Sequence, residues 1–272
     1  MNEPGTKHTG PLGSTIHVLR ADADTIAELA AVDWNRHFRR VCLDPVRGVI
    51  TLMSPSRLHE DLSLILDDIV DIAGSMITRG SKGLRSTRLR GRGEPPGTGM
   101  EPDCAFYVGG RARGYLAALR EGVAEADAFL ERTAPDLVVE TEITHGDAGK
   151  AERYAQMGVQ EMWRLHGRKG TEELRAEFFE LGSGNAPRAL GVSQVLEGLT
   201  PDDVCEAVDG VRLSATRDER TEAVARVVRR RQRTSVRVRE EEGAYSQEPE
   251  EPAATAENRQ ESDRAESRIH HA

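Results

Sequence analysis

Aromatic side chains are scarce in this chain, at 4% of 272 residues, and cysteines number three. Cys42, Cys104 and Cys205 are odd in number and far apart, which excludes a disulfide framework and a C-x2-C zinc spacing; reduced core thiols are expected instead. No stretch approaches about 18 apolar residues, and the polar N-terminus has no apolar signal core, so a soluble, cytoplasmic protein without a membrane partner is expected. Glycine-rich phosphate loops of the Walker or dinucleotide type are missing, as are internal repeats, which excludes nucleotide binding by those loops and a solenoid architecture.

Charge is plentiful but uneven. The net charge of −9 argues, as a sum, against nucleic-acid binding, yet residues 226–239 hold seven arginines and no acid, while residues 240–272 hold ten acids and three arginines. That last stretch has almost no large apolar side chain to offset its ordering entropy, so it reads as a disordered acidic tail. A length of 272 residues suits one well-buried domain with appendages. The expected organisation is a flexible N-terminal arm over 1–20, a domain over 21–215, an arginine-rich helix over 216–239 and the tail over 240–272.

Within the domain, hydrophobic periodicity alternates between helix and strand. Asp24 is a candidate cap for a short helix, and RRVCLDPVRGVITLMS reads as a hairpin turning at residues 44–48. Leu62, Ile65, Leu66, Ile69, Ile72 and Ala73 recur at three and four, the spacing of one face of a long helix. A helix over about Tyr115 to Leu130, strands in EPDCAFYVG, PDLVVETEI, EMWRLHG and ELRAEFFEL, and a helix in GKAERYAQM ended by Gly158 follow, with Asp147 as a candidate N-cap. Terminal helices are expected near Ser193 to Leu199, Pro201 to Val208 and Arg217 to Arg233. These elements predict an α/β domain with a mixed central sheet flanked by helices.

Two of those strands carry acids among apolar neighbours. Alternation puts Asp103, Ala105 and Tyr107 on one face of the first, and Val138, Glu140 and Glu142 on one face of the second. Carboxylates in such a setting are costly unless neutralised, and Mg²⁺ would neutralise them with hard oxygen coordination. Lys150 follows in the first turn of the next helix, where the helix dipole disfavours a cation. Carboxylates and one lysine converging on a sheet suit phosphodiester hydrolysis, in which a metal polarises the phosphate and an ammonium balances developing charge.

The runs MSPSRLHEDL, EPDCAFYV and PDLVVETEITHGDAGKAERYAQMGVQEMWRL resemble the Uma-type restriction endonucleases of the PD-(D/E)XK nuclease superfamily, over about Thr25 to Ala215. The resemblance implies a Mg²⁺- or Mn²⁺-dependent DNA endonuclease in which Asp103, Glu140 and Lys150 are catalytic and Asp103 and Glu140 hold the metal; Glu142, on the same strand face as Glu140, is a further candidate metal ligand from its position alone. DNA is then the expected partner, and a homodimer is compatible. In the wider superfamily the lysine stands two positions after the acid, where this chain has Glu142, so Lys150 would act from a different backbone position. The chain also carries an extra helix between Asp103 and Glu140.

Other readings of the same residues stay open. Asp103 is alternatively a strand-end acid capping amides, Glu142 a solvated edge glutamate paired with an arginine, and Lys150 a solvated helix lysine paired with an acid. His59 and Glu60 start the long helix, where capping or packing competes with a site role. Arg88, Arg90 and Arg92 alternate as a phosphate-contacting strip or a solvated strand. Trp163 and Phe178 read as core. The competing function is a nuclease-fold module that binds nucleic acid or regulates without chemistry.

Overall fold

The computed structural model describes residues 7–9, 15–30, 32, 40–54, 57–85, 87–91, 93–94, 98–142, 149–167, 173–182 and 186–245. The chain opens with strands β1 (Lys7–Thr9) and β2 (Thr15–Arg20), helix α1 (Ala23–Leu29), strands β3 (Arg40–Asp44) and β4 (Val49–Ser54), and the long helix α2 (Arg57–Thr78). Next come β5 (Ser81–Gly83), β6 (Cys104–Val108), α3 (Gly109–Glu121), α4 (Val123–Arg132), β7 (Leu137–Glu142) and α5 (Lys150–Met157). The last elements are β8 (Glu161–Gly167), β9 (Leu174–Glu180), β10 (Arg188–Leu190), α6 (Pro201–Arg212) and α7 (Arg217–Tyr245). Two compact units divide the chain, Met1–Gln232 and Arg233–Ala272; in the second, the described residues are helical.

The fold is the expected mixed α/β arrangement. Six strands run in the order β10-β9-β8-β7-β6-β5. Within that sheet only the β7–β8 pair is parallel, because α5 supplies the crossover that a parallel pair requires. Cys104, Phe106, Leu137, Val139, Trp163 and Phe178 face α2 and α6, whereas Ala105, Tyr107, Val138 and Met162 face the side of α5. The predicted stripe on α2 is the buried one: Leu62, Leu66, Ile69 and Ala73 are at most 1% exposed. Each such leucine or isoleucine contributes about 1.5–3 kcal/mol by leaving water. Trp163 and Phe178 stack 4.5 Å apart in this core, as their strand positions indicated.

The stretch read as an unstructured arm contributes two strands. β2 pairs along its length with β4, and the smaller sheet runs β1-β2-β4-β3. A six-residue strand has little periodicity of its own; the hairpin β3–β4 is what orders it. The α1 cap is Asp22, whose carboxylate accepts from Thr25 N, so Asp24 lies inside the first turn. The two sheets are stitched through Gly99, which exchanges both backbone hydrogen bonds with Leu43 of β3, while Met100 does the same with Leu89.

Three further expectations change. The single helix over Tyr115 to Leu130 is two helices meeting at Gly122. The segment near Ser193 to Leu199 is a turn, closed by Ser193 N donating to Leu199 O. α7 runs on to Tyr245, into the stretch read as tail, and residues 246–272 lie outside the described residues. No helix among the described residues is long and apolar enough to cross a membrane. The three cysteines are free thiols; Cys104 is buried, and Cys42 and Cys205 are partly so.

Candidate active site

Antiparallel pairing of β6 with β7 places Cys104 across from Val139, so the next step of the register sets Asp103 across from Glu140. Both carboxylates are buried, at 5% and 2% exposure. Asp103 sits in the bend just before β6. Its Oδ2 accepts from Thr141 N at 2.6 Å and stands 3.1 Å from His59 Nε2. Capping of an amide and membership of the acidic pair are therefore both true of Asp103. His59, left between packing and function by its sequence position, is brought to the acid by the first turn of α2. Ser63, one turn further, donates to His59 O and approaches Thr141 Oγ1 at 3.3 Å, tying α2 to β7.

Glu140 has both oxygens engaged. Lys150 Nζ donates to Oε2 at 2.6 Å, and the Tyr154 hydroxyl donates to Oε1. Lys150 is the first residue of α5, against the helix dipole, and the glutamate two strand residues from the end of β7 is what compensates it. Burial pushes the Lys150 ammonium down, but the charge and hydrogen bond of Glu140 more than offset this and hold it above the ordinary lysine range. Gly158, at φ +87°, takes the left-handed position that ends α5 and turns the chain into β8. Tyr154 was missed as a site residue, although its spacing of four from Lys150 puts both on one helix face.

Glu142 stands on the same face of β7 with different company. Arg164 Nε lies 3.2 Å from its Oε1 and His166 Nδ1 lies 3.6 Å from its Oε2. Both oxygens are buried without a hydrogen-bond partner. Burial raises its carboxyl above the ordinary range, opposed by the Arg164, Lys150 and His166 charges. Of its two sequence readings, pairing with an arginine is what the geometry shows, with the glutamate buried rather than solvated.

Among the described residues, no three His, Cys, Asp or Glu side chains stand close enough together to hold a metal ion. Asp103, Glu140 and Glu142 thus do not form a three-acid cluster as they stand. Asp103 and Glu140 remain a two-carboxylate set of hard oxygens, the number Mg²⁺ ordinarily takes beside water and phosphate oxygens. The donor chemistry fits such a cation.

Arg88, Arg90, Arg229, Arg230 and Arg231 pair with carboxylates other than Asp103 and Glu140. Arg88 and Arg90 lie outside any regular strand; Arg88 donates through Nε to Glu101 at 2.8 Å, and Arg90 pairs with Glu131 at 2.9 Å. Arg92 and Asp147, like the sequence 143–148 that follows β7, lie outside the described residues. In α7, Arg229 pairs with Glu222, Arg230 with Glu206 and Asp203, and Arg231 with Asp203. Three of the seven arginines are thus paired within the fold, and Val224, Val227 and Val228 of the same helix are buried.

The family described as "Putative restriction endonuclease" (Uma2) matches residues 32–216 of this chain. No curated protein matches it in sequence.

Proposed function

Since the chain belongs to the Uma2 family, and through it to the PD-(D/E)XK nucleases, we propose that it is a metal-dependent endonuclease hydrolysing DNA phosphodiester bonds at Asp103, Glu140 and Lys150. The observation that supports this most is the Lys150–Glu140 contact, which joins α5 to β7 at the strand position across from Asp103. Asp103 and Glu140 would hold Mg²⁺ or Mn²⁺, with Glu142 in reserve on the same face. The cation, when bound, would supply Lewis-acid polarisation of a phosphate and a more acidic water.

The chain's own residues do the rest. Thr141 N and His59 fix the rotamer of Asp103, and Tyr154 fixes that of Glu140. An ammonium has three donors, and Glu140 takes one of those on Lys150, leaving protons for a water or a phosphate oxygen. Held protonated by its glutamate, Lys150 brings positive charge where negative charge develops. DNA is the proposed partner, with contacts made by the domain rather than by the paired arginines of α7.

The test is incubation of purified protein with plasmid, single-stranded DNA and RNA in Mg²⁺, Mn²⁺ or chelator, beside Asp103→Ala. Cleavage of DNA that needs the metal and is lost in Asp103→Ala is expected. DNA binding without cleavage under any of these metals would overturn the enzymatic reading in favour of a non-cleaving module.

A further inference from the structure

One turn beyond Lys150, on the same face of α5, Arg153 is a cation that the site does not use directly. Its side chain is only 3% exposed. The guanidinium reaches three ways: Nε lies 3.4 Å from Asp44 Oδ1, one terminal nitrogen donates to Glu94, and the other donates to Gln156 Oε1 at 3.3 Å. Burial lowers its pKa, opposed by the charge of Asp44. Asp44 is the last residue of β3 and is itself 2% exposed. The same Oδ1 accepts from Val46 N and Arg47 N, both at 3.1 Å, so one oxygen shapes the β3–β4 turn and faces the helix. The turn also presses on the start of α5, since a Cβ built on Gly149 would fall 2.7 Å from the guanidinium carbon of Arg47.

A buried ion pair between the smaller sheet and α5 is a costly way to gain stability, because both charges must be desolvated; what it does give is a defined geometry. Lysine has four flexible bonds, and the placement of its amine depends on where the first turn of the helix points. Cys42, two residues before Asp44, senses the same neighbourhood: burial and the charges of Asp44 and Glu140 push its thiol up to about 12, opposed by the charges of Lys150 and Arg153. The β3–β4 turn thus abuts α5 at two points, Arg47 against Gly149 just before Lys150 and Asp44 against Arg153.

We infer that Asp44 and Arg153 are positioning residues, which dock the β3–β4 turn on α5 and so hold Lys150 against Glu140. The inference rests on the nuclease reading for its catalytic meaning, but not for its geometry. A metal-free measurement can test the geometry, because the chain has only four lysines, Lys7, Lys82, Lys150 and Lys169. Limited acetylation with acetic anhydride, read by mass spectrometry as the ratio of Lys150 to Lys82, should show Lys150 protected in the wild type. In Arg153→Ala and in the isosteric Asp44→Asn the ratio should rise roughly tenfold, the lower end of the loss expected when a buried charge is left short of its ion-pair partner, with Arg153→Lys in between. General unfolding would raise the ratio too, but only with a faster labelling of Lys82, which is half-buried in the fold, and a changed circular dichroism spectrum; the docking reading expects both to stay as in the wild type. A second arm measures DNA cleavage with Mn²⁺: Asp44→Asn should slow the wild type yet leave Lys150→Met no slower. An unchanged labelling ratio in both Arg153→Ala and Asp44→Asn overturns the inference. A wild type that shows the labelling pattern but cleaves no DNA overturns the nuclease reading and leaves the docking geometry standing.

Discussion

Lys150 Nζ lies 2.6 Å from Glu140 Oε2, ten residues back along the chain and in a different element. That contact makes the two residues a unit, so their variants should not behave independently.

Replacing Lys150 by Met should reduce cleavage by about 10² to 10⁴, the scale of one catalytic polar group. It should also destabilise the fold by about 3 kcal/mol, because Glu140 is left charged, buried and short of its cation. Glu140→Gln in the Lys150→Met background should recover most of that stability in urea titrations and none of the activity. An unchanged rate in Lys150→Met would reduce Lys150 to a charge partner.

Calorimetric titration with Mn²⁺ or Mg²⁺ should show binding to the wild type and none to Asp103→Asn or Glu140→Gln, with circular dichroism spectra superimposable. Retained affinity in both variants would place any metal elsewhere.

Gly99→Ala should be severely destabilising. Gly99 has φ +119°, and a Cβ there would lie 2.0 Å from the Leu89 carbonyl oxygen, which is backbone and has no freedom to move aside. Left-handed backbone strain alone costs on the order of 1–3 kcal/mol, and the clash adds to it at the stitch between the two sheets. A melting temperature within about 2 °C of the wild type would contradict the close approach of Gly99 to the Leu89 carbonyl.

Asp203 predicts a pH-dependent stability. The group closes a capping box with Thr200 at the start of α6 and pairs with Arg230 and Arg231. Burial raises its pKa, but hydrogen bonds from Arg231, Thr200 and Arg230 more than offset this, so it is held below its ordinary 3.8. A carboxylate with a depressed pKa contributes stability above the ordinary value and loses it as pH falls through the depressed one. Asp203→Asn should thus cost about 1–2 kcal/mol at neutral pH, mostly from the cap, since the partly exposed arginines can rehydrate. The gap should close as urea titrations are carried below pH 3.8; a gap constant from pH 7 to pH 3 would remove the charge from the explanation.

The α7 valines bear on any experiment with a shortened chain. Val227 and Val228 are at most 3% exposed, so truncation after Ala225 would remove core, and a change in DNA affinity would then report unfolding as well as lost arginines.

Where the sequence was legible, the reason is local. Alternation over CAFYV and LVVETE, the three-and-four spacing of Leu62, Leu66, Ile69 and Ala73, and Gly158 after Met157 each express a backbone preference readable within about a dozen residues. Asp103, Glu140 and Lys150 stood out by the same means, as charges set where strand pattern or helix dipole disfavours them. β2 was not legible, because TIHVLR owes its strand to β4, whose first residue, Val49, pairs with Arg20 across an intervening helix and strand. Arg88 and Arg90 alternate in sequence as a strand would, but carboxylates from Glu101 and Glu131 claim them instead.

Composition and periodicity alone determined a mixed α/β domain and the acids and lysine on which its chemistry would turn. Tertiary structure alone decided which of them meet. β6 and β7 had to pair antiparallel for Asp103 to face Glu140, and α5 had to cross over for Lys150 and Tyr154 to reach that glutamate while Glu142, two residues on, went to Arg164 and His166. Burial removes water as the default partner of every charge, so each carboxylate takes whichever cation the fold delivers, and that delivery is set by strand register and helix rotation, which no local pattern encodes.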